Sequence, residues 1–264
     1  MVIERLGTVS FPSGRAVVID TGLLRGDHGG SWRATSVTAG DMPAGEHAVL
    51  GERVGDGDWA ECWRAVWVDL GGGEGRDVAR TEHVGAVPVD FARLMFIDAE
   101  AIAAWSDEGS LDGRADFVFW GRDAAALAQA LDAPEIAGEG FGWVDLPLEE
   151  AVRRGTQAEQ LKAERRWLLA TDFRPHTHHF VVLAQARRSE TGSGELELAG
   201  ARTCMFFTSW GDGVFDVWLD RDAAGRPLRL RVQLESDDSQ SAMEAVNRPA
   251  HDDDDEPDDD EDAD

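Results

Sequence analysis

The sequence has few cysteines and no long apolar run. Cys62 and Cys204 are the only two cysteines among 264 residues, too few for a disulfide-stapled scaffold or a cysteine-rich zinc site. No stretch approaches the roughly 20 apolar residues that a membrane-spanning helix needs. The N-terminus also lacks a basic region followed by an apolar run, which is the pattern of a secretory signal. These absences predict a cytoplasmic protein with no membrane segment.

Basic residues are also scarce. Lys and Arg total 25 against 52 Asp and Glu, so the formal net charge is −27. From residue 235 onward there are 15 acidic residues and one arginine, a net charge of −14, so the preceding part of the chain carries −13. Because nucleic-acid backbones attract positively charged surfaces, a nucleic-acid ligand is disfavoured. A basic protein partner fits the charge better.

The last thirty residues differ in composition from the rest of the chain. Residues 235–264 are poor in apolar side chains and rich in aspartate. Like charges repel, and such a segment buries too little apolar surface to offset the entropy of folding. We therefore predict one domain at residues 1–234 and a disordered acidic tail at 235–264. The apolar content of 42%, with ten Trp, is enough to build a core for that domain.

Alternating apolar residues predict sheet structure in the final part of the domain. Phe215, Val217 and Leu219 share one face of a predicted strand, and residues 226–234 repeat the period-two pattern. The turn-rich segment 220–225 joins the two strands into a hairpin. Further strands are predicted at 16–20, 61–70, 94–98, 116–120, 180–186 and 203–208, and helices at 99–105, 123–131 and 148–169. Strands dominate, which predicts an α+β fold with a mainly antiparallel or mixed sheet and a few helices.

One histidine cluster raises the question of a metal. His176 and His178 are predicted to share one face of an extended segment, where they could begin a zinc or iron site. A catalytic metal usually has three protein ligands, and no HExxH or CxxC pattern supplies the others. A phosphate-binding loop, a GxGxxG and a GxSxG motif are absent as well. The sequence therefore predicts no metal and no cofactor.

The most unusual stretch is residues 208–216, Thr-Ser-Trp-Gly-Asp-Gly-Val-Phe-Asp, in which two glycines flank Asp212. One interpretation is a tight Asp-Gly turn that joins two strands. The other places Trp210, Asp212 and Asp216 on a loop that contacts a ligand or partner, held by glycines with special backbone conformations. The sequence leaves both interpretations open.

Three segments resemble the bacterial domain-of-unknown-function family numbered 4241. The first is Phe-Pro-Ser-Gly-Arg at 11–15, which leads into a strand that ends in aspartate at position 20. The second begins with Val-Asp-Phe-Ala at 89–92 and ends in aspartate at position 98. The third is residues 208–215 with Asp-Ala-Ala-Gly at 222–225. The resemblance implies a β-rich fold but no established activity.

The chain departs from that family pattern in a few places. Ala92 and Ser209 stand where the pattern has glycines, and Phe215 replaces a tyrosine. Residues 106–200 have no counterpart in it. The resemblance is therefore that of a divergent member or a neighbouring family.

Two functions are compatible with these observations. The favoured one is a non-catalytic binding protein, in one specific form an immunity-type protein that neutralises a basic toxin domain through its acidic surface. The alternative is a small-molecule hydrolase in which clustered aspartates divide the acid and base roles. The predicted site residues are Trp210, Asp212, Asp216, Asp90 and Asp98.

Overall fold

A computed structural model of the protein describes residues 2–24, 35–71, 77–107, 109–237 and 239–241. The strands are β1 (Ile3–Ser10), β2 (Ala16–Ile19), β3 (Ser36–Ala39), β4 (Glu46–Arg53), β5 (Trp63–Asp69), β6 (Arg80–Val89), β7 (Arg93–Asp98), β8 (Arg114–Trp120), β9 (Glu135–Ile136), β10 (Gly140–Pro147), β11 (Ala170–Pro175), β12 (Ser193–Leu198), β13 (Ala201–Phe207), β14 (Gly213–Arg221) and β15 (Pro227–Gln233). The α-helices are α1 (Ala124–Leu131), α2 (Leu148–Arg165) and α3 (His178–Arg188), and short 3-10 helices lie at Thr21–Leu23, Gly57–Trp59 and Ala101–Ala104.

These strands form three sheets. The six-stranded sheet has the order β1-β4-β5-β15-β14-β6, the five-stranded sheet β12-β13-β7-β2-β3, and the four-stranded sheet β11-β8-β10-β9. Every pairing of neighbouring strands within these sheets is antiparallel. The predicted fold class, α+β with mainly antiparallel sheet, is confirmed.

The main core lies between the two larger sheets. In β7, Leu94 and Phe96 belong to this core, whereas Met95 and Ile97 point to the opposite face and join a second apolar cluster under α3. The five-stranded sheet is therefore buried on both faces. Full burial of such a side chain stabilises the fold by about 1.5–3 kcal/mol.

The predicted hairpin near the end of the domain is present. β14 and β15 pair in antiparallel register, with Leu219 opposite Leu230. The carboxylate of Asp222 accepts the N–H groups of Ala224 and Arg226 at 2.9 Å each, which closes the turn. Period-two patterning thus identified both strands, because one face of each is buried in the main core.

The four-stranded sheet has an apolar cluster of its own. Phe117 and Phe119 of β8 pack against Leu127 of α1 and Ala158 of α2. Helix α2 continues through Gly155, where an added Cβ would lie 3.2 Å from the ring of Phe117, so close packing on the sheet accounts for this glycine. The whole unit falls within residues 106–200, the region without a counterpart in the resembling family.

Two predicted elements differ from the structure. Residues 180–186, predicted as a strand, lie in helix α3. The hydroxyl of Thr177 accepts the N–H of Phe180 at 3.3 Å and caps the helix, and Val182, Leu183 and Ala186 have the spacing of one helical face. The predicted helix at 99–105 is only the 3-10 helix Ala101–Ala104.

The first residues of the predicted tail contact the domain. Glu235 pairs with Arg64 at 2.8 Å and donates its N–H to the carbonyl of the same residue at 3.0 Å. The hydroxyl of Ser239 lies 3.0 Å from the carbonyl oxygen of Leu234. The prediction of disorder is therefore wrong for these first residues, and residues 242–264 lie outside the described part. None of the helices formed by the described residues has both the length and the apolar character that crossing a membrane requires.

Candidate functional site

The chain passes between the two larger sheets twice at one end of the molecule. Residues 90–92 connect β6 to β7, and residues 208–212 connect β13 to β14 in the reverse direction. The two crossovers are hydrogen-bonded to each other. The N–H of Thr208 donates to the carbonyl of Ala92 at 3.0 Å, and the N–H of Ala92 donates to Oδ1 of Asp212 at 2.9 Å. Asp212 therefore ties the two crossovers together.

Both crossovers contain residues in the left-handed backbone region. The φ angles are +52° at Ala92, +64° at Ser209 and +77° at Gly211. Residues other than glycine incur about 1–2 kcal/mol in this conformation because Cβ approaches the following carbonyl. A glycine at position 92 or 209 would avoid this cost, because it has no Cβ.

Trp210 anchors the second crossover in the core. Its side chain is 2% exposed, and its indole Nε1–H donates to the carbonyl of Trp63 at 2.7 Å. The hydroxyl of Ser209 accepts the N–H of Trp63 at 2.8 Å, so two successive residues of the loop are bonded to Trp63 of β5. The structure gives Trp210 a packing role and leaves its indole almost no surface for a partner.

A third loop completes this end of the molecule. The ring of Trp59 lies 5.9 Å from that of Trp210, between centroids, and Sγ of Cys62 lies 3.4 Å from the carbonyl oxygen of Ser209. Burial raises the pKa of the Cys62 thiol, which keeps it protonated as a donor to that oxygen. Residues 54–62 are thereby held beside the two crossovers.

Exposed carboxylates cluster on these three loops. We call the group the acidic end, and it consists of Asp56, Asp58, Glu61, Asp90 and Asp212. Phe91, next to Asp90 in the chain, is 37% exposed. Sequence reasoning identified Asp90 and Asp212 but missed the three acids of the β4–β5 loop, because nothing in the local sequence shows that this loop meets residues 208–212.

Two arginines border the acidic end. Arg53 pairs with Glu4 at 3.0 Å and stacks over the ring of Trp63 at 3.7 Å from its centroid. Arg93 lies over the ring of Phe91 at 5.3 Å. Among the described residues of these loops and their borders, carboxylates thus outnumber cations, and the surface is negative.

A buried aspartate stabilises the first crossover by accepting hydrogen bonds from its main chain. Asp20, 0% exposed, accepts the N–H groups of Gly22, Asp90 and Phe91 at 2.8, 2.8 and 2.9 Å. Burial raises the pKa of Asp20, although these three bonds favour the carboxylate. Sequence reasoning did not single out this residue, and the only signal was its position at the end of a strand.

The other two predicted acids lie elsewhere. Asp98 is at the far end of β7 from Ala92, 2% exposed, and accepts bonds from the N–H and hydroxyl of Ser13 and the N–H of Glu100, each at 2.8 Å. Asp216 lies on the outer face of β14, 2.9 Å from Nε2 of His83. Of the predicted acids, only Asp90 and Asp212 are neighbours.

The two predicted histidines point in different directions. His178 begins α3, its Nδ1 accepts the N–H of Ser106 at 2.9 Å, and its ring packs on Trp105. His176 lies in the link before the helix, with carboxylates on both ring nitrogens. The prediction that they share a face of an extended segment is wrong, because the helix cap at Thr177 turns the chain between them.

Two cavities border the four-stranded sheet and contain none of the predicted site residues. An apolar cavity of about 310 Å³ lies between α2 and β11, lined by Phe117, Val152, Gly155, Thr156, Glu159, Thr171 and Phe173. A polar cleft of about 560 Å³ is lined by Trp120, Gly138, Glu139, Asp172, Arg174 and Arg187. In the cleft, Arg174 is neutralised by ion pairs with Glu139 and Asp172.

Comparison of the chain with protein-family models, with curated proteins and with solved structures finds no match. The fold and the acidic end therefore define only a broad class: a two-sheet antiparallel body with an added four-stranded unit and a negative surface at the sheet crossovers.

Proposed function

We propose that this chain is a non-catalytic, cytoplasmic interaction protein that binds a basic protein partner through the acidic end. The observation that carries the proposal is that three loops in contact with one another carry five exposed carboxylates, and that the exposed ring of Phe91 stands next to Asp90 in the chain. A partner surface rich in Lys and Arg would meet opposite charge there, which steers association and fixes orientation. Phe91 would supply apolar contact area at the centre of the contact.

The rigidity of the acidic end supports this role. Asp20, Asp212 and Trp210 hold the crossovers by hydrogen bonds to the main chain, so the exposed carboxylates project from fixed loops. A surface that is already ordered loses less conformational entropy on binding. The buried Asp20 thus serves the scaffold alone, whereas the exposed Asp212 supplies both a hydrogen bond and a charge.

The total charge extends the same attraction over a longer range. The segment from residue 235 onward has a net charge of −14, and the rest of the chain −13. Such a field raises the rate of encounter with a cationic partner, and salt weakens it. An immunity-type protein that covers the basic surface of a toxin domain is the specific form we propose.

The hydrolase alternative has less support. It requires Asp90, Asp98 and Asp212 in one pocket, whereas β7 separates Asp98 from the other two. Six residues of extended strand span about 20 Å, too far for carboxylates to share one reacting group.

We also propose that the chain is a divergent relative of the family numbered 4241. The left-handed φ angles of Ala92 and Ser209, at the positions of two family glycines, support this proposal. A further support is that residues 114–175 build a separate sheet within the region that has no counterpart in the family pattern.

Zero-length cross-linking tests where a basic partner binds. The full chain is treated with carbodiimide and a short peptide of alternating lysine and serine, and the cross-linked carboxylates are mapped by mass spectrometry. We expect cross-links at Asp56, Asp58, Glu61, Asp90 and Asp212 that fade as salt is raised. Matched control sites are the exposed Glu46, Glu100 and Glu197. Equal labelling of the two sets, or labelling confined to residues 242–264, would contradict the proposal.

A further inference from the structure

His176 lies where the four-stranded sheet joins the rest of the molecule. Its carbonyl accepts the N–H of Leu111 at 2.9 Å, and its N–H donates to the carbonyl of Arg114 at 3.1 Å. These two bonds fix the backbone on both sides of the residue. The imidazole is consequently held against the segment that precedes β8, with 20% of its side chain exposed.

Three aspartates surround this imidazole. Oδ2 of Asp112 lies 2.9 Å from Nδ1, and Oδ1 of Asp116 lies 3.2 Å from Nε2. Asp145, at the bulge of β10, completes the group, and Asp112, Asp145 and His176 each offer a ligand atom within 4.8 Å of the others. The residues come from three separate parts of the chain, which only the fold brings together.

Carboxylates on both ring nitrogens favour positive charge here, which is carried either by an imidazolium that donates to both or by a metal ion that replaces the proton of Nδ1. A neutral imidazole has one N–H, so it donates to one carboxylate and presents a lone pair to the other. When Nε2–H donates to Asp116, the lone pair of Nδ1 faces Asp112. A metal ion that takes the place of the Nδ1 proton is coordinated by this lone pair and by the carboxylate of Asp112.

The spacing suits a small divalent ion. Bonds of about 2.0–2.2 Å to nitrogen and oxygen, at angles near 90–110°, place neighbouring ligand atoms about 3 Å apart. The distance from Nδ1 of His176 to Oδ2 of Asp112 is 2.9 Å. Imidazole nitrogen with carboxylate oxygens favours a transition-metal ion over calcium or magnesium.

Asp116 occupies the position of a supporting residue. Metal-bound histidines commonly donate their second ring N–H to a carboxylate, which fixes the tautomer and orientation. Oδ1 of Asp116 faces Nε2 of His176 and also accepts the N–H of Asp145 at 2.7 Å. One carboxylate thereby positions both a ring and a neighbouring ligand residue.

We propose that Asp112, Asp145 and His176 bind one divalent transition-metal ion, with Zn²⁺ as the representative, through Nδ1 of the imidazole. Arg114 opposes binding, since its Nη1 lies 3.2 Å from Oδ2 of Asp145. The ion therefore uses the other oxygen of Asp145 or displaces this ion pair. Because its ligands come from three parts of the chain, the bound ion cross-links the segment before β8 and the bulge of β10 to the β11–α3 link. This site lies apart from the acidic end.

Titration of the full chain with Zn²⁺ tests the proposal. Titration calorimetry should detect one binding site, and the bound Zn²⁺ should raise the melting temperature of the protein. Co²⁺ in place of Zn²⁺ should give visible absorption bands of nitrogen and oxygen ligation. His176→Gln should weaken that site at least about tenfold, and Asp116→Asn about ten- to a hundredfold. His178→Gln is the matched control and should bind as the wild type does, since its ring faces Ser106.

Two results would overturn the proposal. One is equal Zn²⁺ affinity in the wild type and His176→Gln, which share the same aspartate-rich tail. The other is a loss of Zn²⁺ affinity in His178→Gln as large as the loss in His176→Gln. Should His176→Gln fail to fold, Asp145→Asn replaces it, because the Asp145 side chain is 66% exposed and its loss leaves the packing intact.

Discussion

Aspartates have different roles at the sheet crossovers beside the acidic end and around His176. At the acidic end, Asp20 and Asp212 accept main-chain N–H groups and hold two sheet crossovers together. Around His176, Asp112 and Asp116 also accept main-chain N–H groups, from Arg114 and Asp145, but each of them faces a ring nitrogen as well. Carboxylates whose partners are main-chain donors alone are part of the scaffold, whereas carboxylates on both sides of an imidazole can also share a cation. The residue type is the same, and the donors around it decide the role.

Charge follows the same division. Burial raises the pKa of Asp20, because the charged carboxylate is less favourable away from water. Hydrogen bonds from three main-chain N–H groups act in the opposite direction and favour the carboxylate. The hydrogen bond to His176 lowers the pKa of Asp112 to about 2, so this exposed acid is ionised at neutral pH. Asp20 is therefore tested by stability, and the group around His176 by what it binds.

The largest expected effect is at Asp20. In Asp20→Ala, the buried N–H of Gly22 and the part-buried N–H groups of Asp90 and Phe91 lose their acceptor, and each unsatisfied buried group costs about 1–3 kcal/mol. We expect the free energy of unfolding to fall by roughly 3–5 kcal/mol, as measured by chemical denaturation. Asp20→Asn should lose less, because one carbonyl oxygen remains. A loss in Asp20→Ala no greater than in a surface substitution would mean that this carboxylate does not hold the crossovers.

Asp212 should give a smaller effect that separates its oxygen from its charge. Asp212→Ala removes the acceptor for the N–H of Ala92 and should cost about 1–2 kcal/mol. Asp212→Asn keeps an acceptor oxygen and should unfold within a few tenths of a kcal/mol of the wild type. If the asparagine variant is as unstable as the alanine variant, the charge itself supports the fold.

The smallest expected effect is a gain in stability. Ala92→Gly relieves the strain of a φ of +52° but adds flexibility to the unfolded chain, for a net gain of about 0.5–1 kcal/mol. Gly211 has a φ of +77° and open space around it, so Gly211→Ala should lower the free energy of unfolding by a similar amount. It serves as the control in the opposite direction. A destabilised Ala92→Gly would show that the left-handed corner is not strained.

Local patterns in the sequence predicted part of the fold well. The β14–β15 hairpin was predictable because Phe215, Val217 and Leu219 repeat with period two on one buried face. Helix α3 was missed because a run of Phe, Val and Leu is typical of strands, and only the cap at Thr177 signals a helix.

The candidate sites depended on contacts between distant parts of the chain. Asp212 bonds to a residue 120 positions away, and Asp20 reaches Asp90 across 70 positions. His176 meets Asp112 across 64 positions. In a sequence with 52 acidic residues, nothing local marks which acids meet, so the sequence could suggest Asp90 and Asp212 but not separate them from Asp98.

The central claim, that the acidic end binds a basic partner, is tested by two variants of equal charge. Asp58→Asn/Glu61→Gln/Asp90→Asn removes three charges from the acidic end, and Glu46→Gln/Glu100→Gln/Glu197→Gln removes three elsewhere. Fluorescence anisotropy of a labelled lysine–serine peptide is measured with each full chain at low salt. We expect the first variant to bind about tenfold more weakly than the second, since each exposed charge contributes about 0.5 kcal/mol. Equal affinities of the two variants would contradict the claim.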